Sequence, residues 1–356
     1  SLLFLLRICL NFKQLVAQSV GGLFIVDKFG SCKRTTTMKL NSCHISLICI
    51  IIVFFTSQTV WAEKVETGQP AGVEFNIVQS SGTGLTLIHK VSEFNLNLVG
   101  YPEGDYCQII IPGAAKSNHI GSPELPVYRR LIEIPQGAIP EVRVLNFTEK
   151  EYSLDDYDIA VPVVPLQPPQ PKCGNSPGFV CNAAAYQVNS FSGDDPVNVD
   201  VLGTMRGVRI ARLNINSVQY NPVRNVIRVI DHIEVEITFK GADNGQTDDL
   251  KKRMYSPYFS GIYEMLPNHT NASTRENFTL YPVKYVIISD RMFEDQLQPF
   301  IDWKEQKGFI VVEAYTDETG DSKQEIKDFI ENLYDEGTEE DPAPSFVLFV
   351  GDIAQV

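Results

Sequence analysis

The strongest constraint on the fold of this chain is the change in hydrophobic period that follows Pro282. From there, three apolar runs of strand length alternate with two segments whose apolar residues recur at helical spacing. The runs cover residues 283–288, 309–314 and 345–350, and the helical segments are 291–307, which Gly308 ends, and one that a Ser322–Glu325 capping box begins. This βαβαβ order predicts an open, parallel α/β sheet over residues 283–356.

Residues 63–240 follow a different pattern, in which short strands are separated by Gly, Pro and Asn. The clearest strand, residues 233–239, alternates strictly, with Ile233, Val235, Ile237 and Phe239 on one face and Glu234, Glu236 and Thr238 on the other. Before it, two strands are predicted to meet at a hairpin-type turn at Asn221-Pro222. The region is therefore predicted to be all-β, a sandwich or a barrel, which makes the chain an α+β protein of two domains.

A proline-rich segment interrupts the β region at residues 161–182. Its 6 prolines exclude a central strand and indicate an extended surface loop. In an oxidising compartment, Cys173 and Cys181 are close enough in sequence to form a disulfide that pins this loop. Cys107 is then left over, and we predict that it is a buried, unreactive thiol.

Residues 241–282 are hydrophilic and turn-rich, and we predict that they form a linker between the two domains. The basic run Lys251-Lys252-Arg253 lies in this linker, where a processing protease could reach it; a solvated charge run without a role is the alternative. Glycosylation sequons begin at four asparagines, three of them close together in the linker, which again indicates exposure. These are Asn146, Asn268, Asn271 and Asn277.

Residues 38–62 have the features of a secretory signal peptide. Lys39 lies in a polar start, a short apolar block follows, and Val60 and Ala62 are the small residues before the expected cleavage. A membrane anchor is the alternative, but the block is shorter than the ~20 residues that span a bilayer, so no stable membrane span is expected. Residues 1–37 are interpreted as an upstream extension outside the folded protein. The protein is thus expected to be secreted.

Three aspartates follow the three predicted strands of the α/β region: Asp290, Asp317 and Asp352. Polar groups at the carboxyl ends of parallel strands often bind ligands, so each aspartate could orient a substrate or bind a cation. Each could equally cap a helix or begin a loop. The topology is Rossmann-like, but the first turn after a strand contains no glycine and no phosphate-binding loop occurs. A nucleotide cofactor is therefore excluded.

The remaining motifs and the charge narrow the function further. The sequence contains no HExxH and no pair of CxxC motifs, and its GxSxG match, GNSPG at 174–178, lies in the proline-rich loop rather than at a strand-to-helix turn, so no metal or nucleophile motif points to a reaction. The net charge of −14, without a basic stripe, argues against nucleic acid as a partner. From the residues alone, the chain has a scaffold that enzymes use but no assembled active site.

Two collinear blocks of the sequence resemble the gingipain family of caspase-like cysteine endopeptidases. Residues 284–318, KYVIISDRMFEDQLQPFIDWKEQKGFIVVEAYTDE, together with the later SFVLFVGD, are similar to the start of the catalytic domain of that family. Residues 121–135, 206–229 and 258–266 are similar to its N-terminal propeptide. The resemblance covers most of residues 70–356.

This resemblance implies a secreted zymogen with a caspase-like sheet, in which the propeptide binds the catalytic domain, assists its folding and blocks its cleft. It implies a protein or peptide substrate and a catalytic Cys–His dyad, and it makes calcium a candidate ion. In the family, the catalytic His and Cys lie beyond the strand that ends in VGD, and a thiolate needs its His for activation. Residues 1–356 are therefore expected to be inactive alone, and we assign no catalytic residue.

Lys172 is the single basic residue of the loop at 161–182. If the enzyme selects basic residues, such a loop could present Lys172 to the specificity pocket and block it; a solvated loop lysine is the alternative. For the whole chain, the alternative function is a secreted β-sandwich module for binding or adhesion, followed by a non-catalytic α/β domain.

Overall fold

The computed structural model describes residues 62–70, 73–174, 177–270 and 282–352 of the chain. The expectations for residues 1–37, for the signal peptide up to Trp61, and for Asn271 and Asn277 lie outside these ranges. Within the ranges, most residues of regular structure are in β-strands, and a few helices occur mainly in the last third. Each described helix is too short or too polar to cross a membrane.

The first part of the described chain is built from twelve strands. They are β1 Ala62–Glu66, β2 Val73–Ser81, β3 Gly84–Val91, β4 Glu93–Tyr101, β5 Gly104–Ile110, β6 Ala115–Lys116, β7 Pro126–Glu133, β8 Ile139–Ser153, β9 Val197–Met205, β10 Val208–Ile215, β11 Val218–Asn221 and β12 Val226–Lys240. Short 3₁₀ turns at Leu154–Tyr157 and Ala183–Tyr186 flank the proline-rich loop.

These strands form three antiparallel sheets. Their strand orders are β1-β4-β5, then β6-β7-β10-β9, then β11-β12-β3-β2, with β8 also pairing with β12. Two apolar clusters fill the space between them: Phe94 and Tyr220 are central to one, and Ile132 and Leu213 to the other. The prediction of a β-rich first part is confirmed.

Strand β12 is the long spine of this part, because it pairs with β3, β8 and β11. Its side chains alternate as predicted, with Ile233, Val235 and Ile237 fully buried. The predicted turn at Asn221-Pro222 joins β11 to β12. The two strands expected around residues 222–239 are, however, one continuous strand of 15 residues.

The predicted linker at 241–282 begins with a helix, α1, Asn244–Met254. Its sequence carries almost no apolar periodicity, so the helix depends on a local cap and on tertiary contacts. Asp243 is the N-cap, accepting a 2.8 Å hydrogen bond from Gln246 N, and the Thr247 hydroxyl donates to Asp243 O at 2.6 Å. Turns at Pro257–Phe259 and Ser260–Tyr263 follow, so much of the expected linker is folded.

The last part contains the predicted βαβαβ unit: β13 Val283–Ser289, α2 Glu294–Gln306, β14 Phe309–Tyr315, α3 Lys323–Asp335 and β15 Pro344–Val350. Single turns at Arg291–Phe293 and Thr316–Thr319 precede the two helices. Both strand pairs are parallel and the sheet order is β14-β13-β15. Each strand lies within one residue of its predicted bounds.

The two helices cover opposite faces of β13, because successive strand residues point to opposite sides of a sheet. Val286 and Ile288 pack in a cluster with Ile326 of α3, whereas Ile287 packs with Leu297 and Ile301 of α2. The capping box at Ser322 and Glu325 is present. Gly308 ends α2 with φ +85°, a conformation that favours glycine.

Candidate functional site

The parallel sheet brings its three strand ends together at one edge. Ser289, Tyr315 and Val350 are the last residues of β13, β14 and β15, and both neighbours pair in register with Ser289. Asp290, Asp317 and Asp352 therefore lie on the carboxyl edge, as the sequence predicts.

Asp290 and Asp317 are used for local structure at this edge. The Asp290 carboxylate accepts a 2.8 Å hydrogen bond from Met292 N and caps the following turn. Asp317 is held in a two-point contact by Arg291, with Nε and Nη2 at 2.8 and 3.0 Å from its two oxygens. Hydrogen bonds from Arg291 hold the pKa of the Asp317 carboxyl below its usual value. The capping alternative therefore describes Asp290, and Asp317 is used in an ion pair with Arg291.

Asp352 lies exposed at the same edge, directly after Gly351. Among the described residues, no group of three or more His, Cys, Asp or Glu side chains is arranged to hold a metal ion. The described ranges therefore contain no matching set of carboxylates for the calcium ion that the family resemblance suggests. The function proposed below uses no metal step.

The proline-rich loop leaves the β region through a narrow neck. Gln167 closes this neck with its side-chain amide, because Nε2 donates to Val180 O and Oε1 accepts from Val180 N, both at 2.9 Å. Backbone hydrogen bonds from Leu166 N to Ser122 O and from Asn182 N to Gly121 O, both 2.8 Å, fix the two ends of the loop to the same turn. One glutamine side chain, which bridges 13 residues, and two backbone hydrogen bonds together hold the loop ends.

Beyond the neck, Phe179 anchors the returning arm of the loop. Its ring contacts those of Tyr101 and Tyr106, with centroid distances of 5.2 and 5.4 Å. Lys172 lies on the other side of the loop and is exposed. The loop therefore combines a fixed base with a basic side chain that extends into solvent.

The predicted disulfide between Cys173 and Cys181 is not formed in the structure, where both residues are exposed free thiols. Gln167 and Phe179 hold the loop in this arrangement without the bridge. Cys107 is buried, as expected, and pairs with Val163 at the start of the loop. Burial raises the pKa of the Cys107 thiol to about 12.

Alkylation of the native protein should separate these three thiols. We expect iodoacetamide to modify Cys173 and Cys181 without prior reduction, and Cys107 only after unfolding, because the thiolate is the reactive form. Peptide mass spectrometry after timed labelling checks this. Protection of Cys173 and Cys181 that is lifted only by a reductant would restore the predicted bridge.

The basic run of the predicted processing site lies in the last turns of α1. Lys252 and Arg253 are exposed, but the Lys251 side chain is only 6% exposed and forms an ion pair with Glu133 of β7. Arg253 also donates to Asp335 O at 3.3 Å. The alternative of a solvated charge run therefore does not describe Lys251, since the helix buries it against the β region, and processing at this run stays a prediction.

The two described sequons differ in accessibility. Asn146 is exposed on β8. Asn268 is half-buried, and its amide is paired with the backbone of Glu133, accepting from N and donating to O at 2.8 Å each. A glycan on the Asn268 amide would remove this pairing, so Asn268 is a structural residue rather than an exposed acceptor.

Sequence reasoning missed Gln167, which closes the loop neck, and Glu133 and Arg206, which make long-range contacts. The partners of Glu133 and Arg206 lie more than 100 residues away along the chain. In the sequence Gln167 resembles the other polar residues of the loop, and only the folded structure shows that it closes the neck. None of the three carries a local sequence signal that would have identified it.

Comparison with known families identifies both parts of the chain. The Propeptide_C25 family model matches residues 64–256, and the model of peptidase family C25 matches residues 279–355. A Lys-gingipain of Porphyromonas gingivalis is 40% identical over 265 residues, which is 73% of this chain and 15% of the relative. A gingipain R2 of the same organism is 22% identical over 244 residues, 65% of this chain and 31% of the relative.

Two solved structures are also similar. One, described as showing the zymogenic latency of gingipain K from Porphyromonas gingivalis, has 39% identity and a TM-score of 0.48, and covers 51% of this chain and 100% of that one. The other, a complex of the pro- and mature domains of RgpB, has 17% identity and a TM-score of 0.45, and covers 56% and 98%. The chain spans about 15% of the length of the Lys-gingipain relatives.

Proposed function

Because this chain belongs to peptidase family C25, the gingipain family, we propose that it is the N-terminal part of a secreted cysteine endopeptidase zymogen. Residues 64–256 are a gingipain propeptide, and residues 279–355 are the start of the C25 peptidase domain. The observation that carries the proposal is this order on one chain, with a β-rich propeptide directly before a parallel α/β sheet. The sheet is then the first part of a caspase-like catalytic domain.

The proposed reaction is hydrolysis of peptide bonds by a Cys–His dyad. The most buried thiol of the described residues, Cys107, is unsuited to attack because its pKa is raised to about 12. The exposed thiols, Cys173 and Cys181, belong to the propeptide. We therefore propose that residues 1–356 alone do not hydrolyse peptides, and that the dyad is supplied by the rest of the catalytic domain.

The proline-rich loop is assigned the role of keeping the zymogen inactive, which is its latency. A rigid neck lowers the entropy lost when a loop tip enters a pocket, and Gln167 supplies that neck. The exposed Lys172 then enters the specificity pocket as a substrate-like lysine. The higher identity to Lys-gingipain than to gingipain R2 supports a lysine-selective pocket.

Residues 38–62 are proposed to direct secretion. Processing is proposed within residues 251–282, and the burial of Lys251 favours a cut after α1, in 254–282. The alternative of a β-sandwich module for binding or adhesion is not favoured, because both parts of the chain match the same peptidase family.

Assaying the complete gene product before and after processing tests the proposal. We expect little hydrolysis of peptide substrates by the intact zymogen, a large rise after the propeptide is cut off, and loss of that activity with iodoacetamide. Absence of thiol-dependent hydrolysis after complete processing would refute the proposed function.

A further inference from the structure

Arg206 occupies an unusual backbone position for a side chain of its size. Arg206 and Gly207 form the two-residue turn between β9 and β10, and both have positive φ, +51° and +78°. Asn and Gly are the usual residues of such turns, because a larger side chain is disfavoured there. Arg206 is nevertheless only 4% exposed. Its side chain therefore makes contacts that compensate for a disfavoured backbone.

Its hydrogen bonds are with the catalytic part of the chain. Nη1 of Arg206 donates to Pro344 O at 2.7 Å, and both Nη atoms lie 3.3 Å from Ala343 O. The Phe259 and Tyr334 rings flank the guanidinium, with centroids 5.4 and 5.8 Å from its central carbon. The partners in the hydrogen bonds are main-chain carbonyls at the start of β15 rather than carboxylates.

Neighbouring contacts extend this surface along the amino edge of the sheet. The Ser345 hydroxyl donates to Ser256 Oγ at 2.8 Å. The Tyr258 ring stacks on Phe309, the first residue of β14, and meets Phe346 of β15 edge-on at 4.9 Å. These residues lie at or near the beginnings of the strands, whereas Asp290, Asp317 and Asp352 mark the opposite, carboxyl edge.

We infer that the amino edge of the catalytic sheet is the docking surface of the propeptide, and that Arg206 is its anchoring residue. This inference rests on the proposed function for the identity of the two parts. It adds that the propeptide is attached at one edge of the sheet and inhibits at the other. The anchor lies at the amino edge, whereas the reactive groups of such sheets lie at the carboxyl edge. Loss of Lys172 should then abolish inhibition without releasing the propeptide.

The contact of Arg206 with the catalytic part is also expected to remain after processing. Arg206 precedes residues 254–282, and its partners Ala343 and Pro344 follow them, so a cut in that range leaves the contact intact. Burying the Arg206 guanidinium without these carbonyl acceptors would cost free energy. Its burial therefore depends on the presence of the catalytic part. Lysine is a poorer replacement, because its ammonium lacks the planar fork of donors and the flat face that stacks between two rings.

The test uses the complete zymogen with a recognition site for an unrelated protease inserted in residues 271–281. After the chain is cut, dissociation of the two parts is measured by size exclusion over a dilution series. We expect Arg206→Ala to weaken association by about 100-fold, which corresponds to about 2.8 kcal/mol, and Arg206→Lys by about 10-fold. Arg209→Ala is the matched control, because Arg209 donates only to Pro135 O and Ala138 O of the propeptide.

Arg209→Ala should leave association within about 3-fold of the unsubstituted protein. If Arg206→Ala does not fold, Arg206→Lys and Tyr334→Leu, which removes one flanking ring from the catalytic side, decide the matter. Unchanged association in Arg206→Lys and Tyr334→Leu would overturn the inference. Association is measured without any activity assay, so this test does not depend on peptidase activity. A failure of the proposed function would instead appear as absent peptidase activity while the two parts still associate.

Discussion

Replacing Lys172 by alanine in the complete zymogen is expected to remove most of its latency, with inhibition by the propeptide weakened by about 100-fold or more. A side chain that fills a specificity pocket is the kind of central contact that dominates binding energy. The neck formed by Gln167 and Val180 holds the loop in place, so alanine removes the charge without disturbing the loop. The measurement is the rate of peptide hydrolysis by the uncut zymogen, relative to the processed enzyme.

Two further variants make this result specific. Lys240→Ala removes another exposed lysine, at the end of β12, where it pairs with Glu141, and should leave latency unchanged. Gln167→Ala keeps Lys172 but opens the neck, and it should weaken inhibition by about 10-fold because the loop tip must then be ordered on binding. If the Lys172→Ala zymogen is fully latent, Lys172 is a solvated loop lysine and does not block the pocket.

A large loss of stability is expected when Glu133 is replaced by glutamine. Glu133 lies on β7 with its side chain 9% exposed, and it pairs with Lys251 of α1 and lies 2.6 Å from His269 Nδ1. Lys251 also donates to Thr270 O at 3.0 Å. Glutamine preserves the shape but leaves the Lys251 ammonium buried without a counter-charge, which should lower the free energy of unfolding by about 3 kcal/mol.

Denaturant titration of Glu133→Gln measures this effect. Glu141→Gln is the control, because Glu141 pairs with Lys240 on the surface and should contribute less than about 1 kcal/mol. The double variant Glu133→Leu with Lys251→Met should recover much of the loss, since removing both buried charges also removes their desolvation cost. A change in Glu133→Gln no larger than that of Glu141→Gln would show that the cluster is not a stabilising contact.

The parts of the fold that the sequence predicts are those with strong local periodicity. The βαβαβ unit is predicted within one residue at each strand because its buried runs, Gly308 and the Ser322 cap are all local signals. The alternation of β12 is equally readable, since one face meets the core and the other is more exposed.

The missed features depend on contacts between distant residues. The sequence of helix α1 predicts a linker because it is polar and includes Gly245, yet Lys251 is held by Glu133, which lies more than 100 residues earlier. Arg206 breaks the residue preference of its turn, and only its carbonyl partners at residues 343 and 344 explain why. Such exceptions to local rules are expected where two parts of a chain dock.

The site was only partly predictable for the same reason. The sequence places three aspartates at the carboxyl edge, but the contacts of Arg291 with Asp317 and of Asp290 with Met292 N decide that these two side chains have structural roles. The proline content indicates the loop at 161–182, whereas the closing of its neck by Gln167, in place of the predicted disulfide, requires the folded geometry.

The central claim is that residues 64–256 keep the attached catalytic domain latent until the chain is cut between the two parts and the propeptide is removed. N-terminal sequencing of the complete gene product during activation, with hydrolysis measured in the same samples, tests it most directly. We predict that the new N-terminus arises within residues 254–282 and that activity rises after that cut, as the propeptide is released or degraded. Full activity before the cut, or an active enzyme whose N-terminus still precedes residue 64, would contradict the claim.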